Sequence, residues 1–266
     1  MAFENVLDPV FNPILQPLLN KSPFLAILIL AVVISVVIVI VYKLMTDQVK
    51  MKEMKDQQKE SQKKMKELKD NPAEMMKVQK EAMKMNMEYM KKSFKPTLVT
   101  MIPILLIFGW MAGHFSYDPI LPGETFNITA DFLEGIKGEA ELIPDAGMEL
   151  ISEAKQEVSG AKVNWKLKST AGEHAIKVKV GDSIEEKEIL ITTEVKVAPI
   201  SKAYEHSDIK SITINYDQLK PLNHLFSDGE KQASLSIFGW QPGWLALYII
   251  FSLIFSMGLR KLLKIY

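Results

Sequence analysis

Thr97 and Thr100 place two hydroxyl groups three residues apart in a stretch that is otherwise apolar. Pro103 follows them, and because proline removes a backbone N–H, we expect a bend in the helix there. Hydroxyl groups low on a bent helix, close to Lys95, could hydrate a groove and shorten the apolar path for a polar chain segment. The alternative is that such small residues only let helices approach closely. The predicted groove residues are Thr97, Thr100, Pro103, Ser252 and Ser256.

The four histidines, His114, His174, His206 and His224, are scattered along the chain without the spacing of a metal site. There is no cysteine, which excludes disulfides, thiolate ligands and a thiol nucleophile. The sequence also contains no glycine-rich phosphate loop and no G-x-S-x-G motif. We therefore expect a protein that is not an enzyme and that uses no metal or cofactor. For His114, a structural or interfacial role is favoured over proton transfer.

Three long apolar stretches would hold these residues in a membrane: Pro23–Tyr42, Thr97–Phe115 and Gly243–Leu259. Each has about the 20 residues that a helix needs to cross the hydrocarbon core. Apart from His114, they contain no basic or acidic side chain, whereas a soluble helix would show a polar face. The sequence predicts an α-helical integral membrane protein with three transmembrane helices. The first stretch is expected to be retained, because the segment before it is long and slightly acidic, unlike a signal peptide.

Charge is segregated between these stretches, although the whole chain has 32 basic and 32 acidic residues. Residues 43–95 carry 15 lysines against 9 acidic residues, whereas residues 116–242 carry 13 lysines against 21 acidic residues. Positive charge at the ends of spans marks the cytoplasmic side. This rule predicts a multi-pass protein of the plasma membrane with its N-terminus outside, segment 43–96 in the cytoplasm, segment 116–236 outside and its C-terminus in the cytoplasm.

Segment 43–96 is expected to form a cytoplasmic antiparallel helical hairpin. Lys43–Lys69 has a thin apolar face that repeats every seven residues, as in a coiled coil. Asn71 is a suitable cap and Pro72 a suitable first residue for the second helix. The repeating positions of the first helix form two series, Leu44, Met51, Gln58 and Met65, and Asp47, Met54, Ser61 and Leu68.

Ten methionines lie between Met45 and Met90. One explanation is that methionine fills the contact between two helices. The other is that a flexible, polarizable surface accepts varied apolar partners. The candidates for such binding are Met75, Met76, Met83, Met87 and Met90. The nearby lysines either only fix the topology or contact anionic headgroups or the ribosome, and these are Lys63, Lys64, Lys66 and Lys69.

The sequence of segment 116–236 predicts an extracytoplasmic all-β domain that resembles a sandwich and has about a hundred residues. The strongest hairpin pairs His174–Val180 with Glu188–Glu194 around the turn Gly181-Asp182-Ser183. Asn127 begins a glycosylation sequon, which is weak support for an outer location. The other predicted strands are Thr125–Phe132, Glu149–Ile151, Lys162–Lys168, Glu194–Val197 and Ser211–Tyr216.

The predicted organisation has seven parts. In the first part, residues 1–22, apolar residues recur at helical spacing but three prolines interrupt them. This pattern indicates a short broken helix in the outer interface of the membrane. The alternative is a disordered leader. The parts are an interfacial segment 1–22, a first span 23–42, a Met- and Lys-rich hairpin 43–96, a second span 97–115, a β domain 116–236, a third span with its entry segment 237–259 and a tail 260–266.

This arrangement resembles the Oxa/YidC insertase superfamily, and within it the archaeal YidC-like proteins, with the Oxa-type subunit of the ER membrane complex as a relative. The resemblance covers roughly residues 1–117 and 237–266 and leaves the β domain outside the shared core. The residues that carry it are Leu7-Asp8-Pro9, Asn86–Lys92 (NMEYMKK), Lys95-Pro96, Met101–Met111 (MIPILLIFGWM) and Gly239–Lys261 (GWQPGWLALYIIFSLIFSMGLRK).

The resemblance implies an insertase or chaperone for short or weakly apolar membrane segments. Its hairpin would engage nascent membrane-protein clients or the ribosome, and a groove between the spans would accept the client beside membrane lipid. Bacterial members have more spans and an arginine in the groove, so this chain works either alone or with a partner subunit or the translocon. A membrane scaffold or receptor that binds through its coiled coil and β domain, and a small ion channel, are the alternatives.

Overall fold

The computed structural model describes residues 4–158, 160–225 and 235–265, in which the backbone forms five α-helices and nine β-strands. Parts of the predicted interfacial segment (1–3), β domain (159 and 226–234) and tail (266) lie outside the described residues. The described chain separates into two compact units. The first contains residues up to Ala26 and from Trp110 to Trp244, and the second contains Ile27–Gly109 and residues from Leu245 onward.

Three helices are long and apolar enough to cross a membrane, α2 (Pro23–Met45), α4 (Pro72–His114) and α5 (Trp244–Leu262). At 1.5 Å per residue, α2 and α5 are about 35 and 28 Å long, close to the thickness of the hydrocarbon core. The three predicted apolar helices are therefore confirmed.

In the second unit, α4 is one uninterrupted helix of 43 residues, where the sequence predicts a hairpin arm followed by a separate span. It begins after Asn71, whose side-chain oxygen accepts a hydrogen bond from the Glu74 N–H at 3.4 Å. It continues through Pro96 and Pro103, each of which removes one backbone donor. Spanning helices tolerate this loss where neighbouring groups satisfy the freed carbonyls. The part of α4 before Pro96, which we call its arm, and the apolar part after it thus belong to one continuous helix.

The helix α3 (Gln48–Glu67) begins separately from α2, so the prediction of one helix over Lys43–Lys69 is wrong at its start. Asp47 has an extended backbone (φ −75°, ψ 100°), and its side chain accepts bonds from the N–H groups of Val49 and Lys50 at 3.1 and 3.2 Å. Aspartate is favoured as an N-cap because a helix start leaves these donors without partners. The cap therefore separates α3 from α2 within the range where the seven-residue repeat predicts one helix.

The seven-residue pattern on α3 is confirmed as its buried face. Met51, Met54 and Ser61 are buried, and Gln58 and Met65 are half-buried. Two contacts join this face to α4: Met51 lies in a cluster beside Tyr89, and Met54 Sδ is 3.8 Å from Lys92 Nζ. Pairing of the two helices as a coiled coil along their whole length stays a prediction.

In the first unit, α1 (Glu4–Lys21) is continuous, so the prediction of a broken helix is wrong. Its three prolines recur every four residues, so the carbonyl groups that lose their partners lie on one side of the helix. Polar residues precede each proline and continue at the same spacing, which places a polar row along α1. The row consists of Asp8, Asn12, Gln16 and Asn20.

The β domain has two antiparallel sheets. Its strands are β1 (Thr125–Phe132), β2 (Glu139–Pro144), β3 (Met148–Leu150), β4 (Lys155–Glu157), β5 (Lys162–Ser169), β6 (Gly172–Val180), β7 (Ser183–Ile191), β8 (Ser201–Ala203) and β9 (Ile209–Asn215). One sheet has the order β3-β5-β1-β9-β8 and the other β4-β2-β6-β7. Ile128 and Trp165 from the first sheet and Val178 and Ile189 from the second belong to one buried cluster. The two sheets thus cover a shared core, as in a β-sandwich.

The predicted hairpin is confirmed as β6 and β7, although β7 begins earlier and the turn contains only Gly181 and Asp182. The predicted strand at Glu194–Val197 is wrong. There the Val195 N–H donates to Asn20 Oδ1 and the Val195 carbonyl accepts from Gln16 Nε2, both at 3.0 Å. Because α1 side chains satisfy this backbone, the segment needs no neighbouring strand.

Candidate functional site

One side of α4 carries a row of exposed apolar side chains, which we call the exposed stripe. It consists of Met76, Met83, Met87, Met90, Phe94, Leu98, Met101 and Leu105. With 3.6 residues per turn, all eight positions fall within roughly 80° of arc around the helix. The stripe therefore follows a single face from the arm into the apolar part of α4.

The two halves of the exposed stripe meet different surroundings. Leu98, Met101 and Leu105 lie in the part of α4 that is apolar enough to cross a membrane, where exposed apolar side chains are expected to face lipid. Met83 and Phe94 are 65% and 60% exposed in the arm, where no lipid is expected. Lysines and acidic residues border Met83 and Met87 in a shallow depression. A contiguous apolar surface with a charged rim is typical of a binding surface.

The methionines of this segment divide between a packed and an exposed face. Met75 and Met85 are half-buried on the other side of the arm, together with buried Ala82. This packed face also includes Tyr89, which contacts the cluster around Met51. Of the predicted binding residues, Met75 therefore lies outside the exposed stripe, whereas Met76, Met83, Met87 and Met90 belong to it.

A second feature of this unit is a cavity of about 440 Å³ among α2, α4 and α5, which we call the polar cavity. It combines phenol, hydroxyl and guanidinium groups with apolar side chains at one end of the apolar helices. The lining residues are Ile38, Tyr42, Tyr89, Ser93, Pro96, Thr97, Thr100, Ile104 and Arg260.

Hydrogen bonds hold the threonine hydroxyls of the polar cavity against their own helix. Thr97 Oγ1 donates to the Ser93 carbonyl at 2.9 Å, and Thr100 Oγ1 lies 3.1 Å from the carbonyls of Pro96 and Thr97. Thr97 is exposed and Thr100 is buried. Thr97 therefore lies where the exposed face of α4 meets the cavity.

Arg260 forms the opposite wall of the polar cavity. Its guanidinium lies over the Tyr42 ring, 4.8 Å from the ring centre, and the Tyr42 hydroxyl is 3.2 Å from Ser93 Oγ. Its Nε is buried without a hydrogen-bond partner among the described residues. The cavity thus presents a cationic donor beside hydroxyl groups, next to the apolar part of α4.

Residues 8–134 match the family of integral membrane proteins described as EMC3/TMCO1-like. This family belongs to the Oxa1/YidC-related insertase superfamily, so the predicted resemblance is confirmed at that level. The matched segment is just under half of the chain and includes α1 to α4 and β1. No curated protein and no solved structure matches the chain. With its three apolar helices, the chain is a multi-pass membrane protein.

The matched segment contains both the exposed stripe and the α4 wall of the polar cavity. Of the five predicted groove residues, the structure places Thr97 and Thr100 in the cavity wall. Pro103 is exposed, and Ser252 and Ser256 are half-buried on α5; these three are not among the lining residues that the structure describes. Ser252 instead donates its hydroxyl to the Ile249 carbonyl at 3.0 Å.

Sequence reasoning missed Tyr42, Tyr89, Ser93 and Arg260 as cavity residues. The signal that could have found two of them is that Tyr89 and Ser93 follow the helical spacing of the packed face that also includes the predicted Thr100. Arg260 is far away in sequence, and nothing local connects it to α4. The lysines predicted for headgroup or ribosome contact, Lys63, Lys64, Lys66 and Lys69, are all exposed.

One of these lysines is already engaged within α3. Lys64 Nζ lies 2.8 Å from Glu60 Oε1, one turn earlier on the exposed face of the helix. This contact raises the pKa of the Lys64 ammonium and lowers the pKa of the Glu60 carboxyl. Because both side chains are open to solvent, the pair contributes little to stability, and Lys64 remains accessible to a partner.

Proposed function

We propose that the protein is an insertase or chaperone for membrane proteins, which captures an apolar client segment on the exposed stripe of α4. The observation that carries this proposal is the continuity of that stripe, from Met76 in the arm to Leu105 in the apolar part, on one helix. A client bound to the arm would stay in contact with one apolar face while it moves to the membrane. The match to an EMC3/TMCO1-like family supports the proposal.

The side chains of the arm suit clients of varied sequence. Methionine has three rotatable bonds and a polarizable sulfur, so Met76, Met83, Met87 and Met90 can adapt to differently shaped apolar surfaces. A leucine surface would select shape more strongly. The exposed stripe thus favours broad apolar recognition over recognition of one fixed partner.

The polar cavity supplies what the exposed stripe lacks. A client segment ends in polar residues that also have to enter the membrane, and each unsatisfied polar group in hydrocarbon costs several kcal/mol. Thr97, Thr100 and the Arg260 guanidinium offer hydrogen-bonding partners beside the apolar face. In the proposed mechanism the apolar part of the client follows the stripe while its polar flank passes along the cavity.

In this proposal the arms of α3 and α4 lie in the cytoplasm and the β domain lies outside, in agreement with the positive charge at the span ends. The exposed lysines of α3 would then face the ribosome or lipid headgroups. A further subunit or the translocon could complete the membrane part.

Site-specific photocrosslinking tests this proposal. A photoreactive amino acid is placed in turn at Met83, Met87 and Thr100, and a short membrane protein is translated on ribosomes in native membranes that contain each variant. Met85 is the matched control, because it lies between Met83 and Met87 in sequence but on the packed face. We expect client adducts at Met83 and Met87 first, at Thr100 as the chain lengthens, and few at Met85.

Other outcomes would identify the alternatives. Adducts at Met83 and Met87 only to the protein itself or to one fixed partner would mean that the stripe is a permanent contact, as in a scaffold. Ion currents from the purified protein in planar bilayers, without client adducts, would indicate a channel.

A further inference from the structure

The C-terminal end of α5 is closed by a capping arrangement in which a lysine occupies the usual position of glycine. The Ile265 N–H donates to the Arg260 carbonyl at 2.9 Å, and the Lys264 N–H donates to the Lys261 carbonyl at 3.3 Å. Lys264 itself has φ of 50°, in the left-handed region. This is a Schellman motif, whose left-handed residue is usually glycine because a side chain there meets steric strain.

The strained conformation of Lys264 brings its side chain to a small basic pocket. The pocket has a volume of about 450 Å³, and the described residues that line it include four cations and no carboxylate. One cation lies on α3, two lie near the end of α5, and Lys264 follows that helix. The lining residues are Lys55, Tyr89, Met257, Arg260, Lys261, Lys264 and Ile265.

The four cations of the basic pocket have no anionic partner among the described residues. Arg260 Nε is buried and makes no hydrogen bond there, and its guanidinium lies over the Tyr42 ring rather than beside a carboxylate of the described residues. Four like charges around one space repel each other unless an anion joins them. The pocket is therefore arranged for a negatively charged group.

Helix capping and membrane topology explain only part of this arrangement. Arg260 and Lys261 would favour the helix C-terminus and the end of a span wherever they pointed. Neither effect needs a lysine rather than a glycine at position 264, and neither needs Lys55 from another helix. Lysine is strained at position 264, and the capping turn would form more easily with glycine. We take this as an indication that the Lys264 side chain has a role of its own.

The position of the pocket limits the source of the anion. It lies at the end of α5, whose 19 residues span about 28 Å, so it falls at the boundary between the hydrocarbon core and water. Phosphate groups of lipids are concentrated in this layer. We propose that the basic pocket binds the phosphate of an anionic lipid headgroup through Lys55, Arg260, Lys261 and Lys264. This inference is independent of client capture on the exposed stripe.

The test uses the purified full-length protein in a zwitterionic detergent, with bound lipid counted by native mass spectrometry. The ligands are dioctanoyl phosphatidylglycerol, dioctanoyl phosphatidylcholine with the same chains and no net charge, and inorganic phosphate as a competitor. The variants are Lys264→Gly, Lys55→Gln and the control Lys80→Gln, which removes the same charge from an exposed position on α4 outside the pocket.

We expect the protein to prefer phosphatidylglycerol over phosphatidylcholine. Lys264→Gly and Lys55→Gln should each weaken phosphatidylglycerol binding about fivefold, as expected for loss of one lysine near a headgroup. Lys80→Gln should change it less than twofold. Lys264→Gly should also raise the thermal unfolding midpoint without lipid, because glycine adopts this conformation without strain. If Lys264→Gly binds phosphatidylglycerol more weakly but has a higher unfolding midpoint, the Lys264 side chain serves ligand binding and not stability.

Four results would overturn the proposal. Equal affinity for the two lipids would remove the role of net charge, and an equal loss in Lys80→Gln would show only diffuse attraction to a basic surface. Displacement of the lipid by inorganic phosphate at a similar concentration would identify a soluble anion as the ligand. Unchanged binding in both Lys264→Gly and Lys55→Gln would show that the pocket is not the binding site.

Discussion

The indole N–H of Trp110 donates to the side-chain oxygen of Asn12 at 2.8 Å. Trp110 is fully buried at the end of α4, with its ring stacked on His114 at 4.3 Å between ring centres. Asn12 belongs to the polar row of α1, whose Gln16 and Asn20 hold the Val195 backbone. The polar row thus fastens α1 to α4 and to the β domain. His114 is part of this packing, with its Nδ1–H donating to the Trp110 carbonyl at 2.9 Å.

The substitution Asn12→Ala should lower the stability of the first unit, which contains α1 and the β domain. The buried Trp110 N–H would lose its acceptor, and an unsatisfied buried donor costs about 1–3 kcal/mol. Thermal unfolding of the purified protein should show a lower midpoint. Asn215→Ala is the control, because it removes a side-chain bond at an exposed position and should change stability by less than about 0.5 kcal/mol. An unchanged midpoint in Asn12→Ala would mean that another group takes over the Trp110 N–H.

The elements that the sequence predicted well are those whose signal is local. The three apolar helices follow from length and hydropathy, and β1, β5, β6 and β9 follow from alternating side chains. β4 (Lys155–Glu157) and β8 (Ser201–Ala203) carry no buried apolar side chain, so alternation could not reveal them. The segment around Val195 has the composition of a strand but takes its backbone partners from α1, almost 180 residues away.

The candidate site was predictable in composition but not in orientation. Met76, Met83 and Met90 repeat every seven residues. The residues of the packed face repeat at the same spacing, because both faces follow the period of one helix. Periodicity shows that two residues share a face, and only the neighbours of α4 decide which face is covered. The Arg260 guanidinium depends on α5 packing beside α2, which no local pattern describes.

The buried Lys187 should make the β domain more stable at higher pH. It is only 2% exposed, on the core side of β7, and burial lowers the pKa of its ammonium below the ordinary value. Between the lowered folded pKa and the ordinary pKa of the unfolded chain, the unfolded chain binds more protons, so stability rises with pH in that window. Lys187→Met should remove this dependence and stabilise the protein by about 1 kcal/mol at neutral pH.

Thermal unfolding at neutral and alkaline pH checks this prediction. The control is Lys179→Met, an exposed lysine on the neighbouring strand β6, which should leave the pH dependence as it is. A lower midpoint in Lys187→Met at neutral pH would show that the hydrogen bond from Lys187 Nζ to the Glu188 carbonyl outweighs the cost of burying the charge.

Introducing a charge into the exposed stripe should reduce client capture without unfolding the protein. Met87 is 55% exposed, so Met87→Glu leaves the packed face intact. The variant would lose the burial of one methionine side chain against the client, which is worth about 1.5–3 kcal/mol. Client crosslinking from a photoreactive residue at position 83 should therefore fall about tenfold or more. Lys80→Gln makes the same change in net charge beside the stripe and should have little effect. Equal loss in both variants would point to charge rather than the apolar surface.

The hydroxyl of Thr100 should matter only for clients with polar flanks. The Thr100 hydroxyl donates to carbonyls of its own helix, so its oxygen is available to the cavity as an acceptor. Thr100→Val keeps the shape of the side chain but removes this oxygen, and Thr100→Ser restores it. Because a polar group without partners in hydrocarbon is costly, insertion of a client with a charged or amide-rich flank should fall about 2- to 10-fold in Thr100→Val. A client with a short, uncharged flank should insert normally.

Protease protection of the inserted flank in reconstituted vesicles measures this difference. Ser256→Ala is the matched control, since it removes a predicted groove hydroxyl that does not line the described cavity. Equal insertion of both clients in Thr100→Val would mean that the cavity does not carry the polar flank. A loss in Ser256→Ala as large as in Thr100→Val would mean that the polar flank also passes along α5, the helix that carries Ser256.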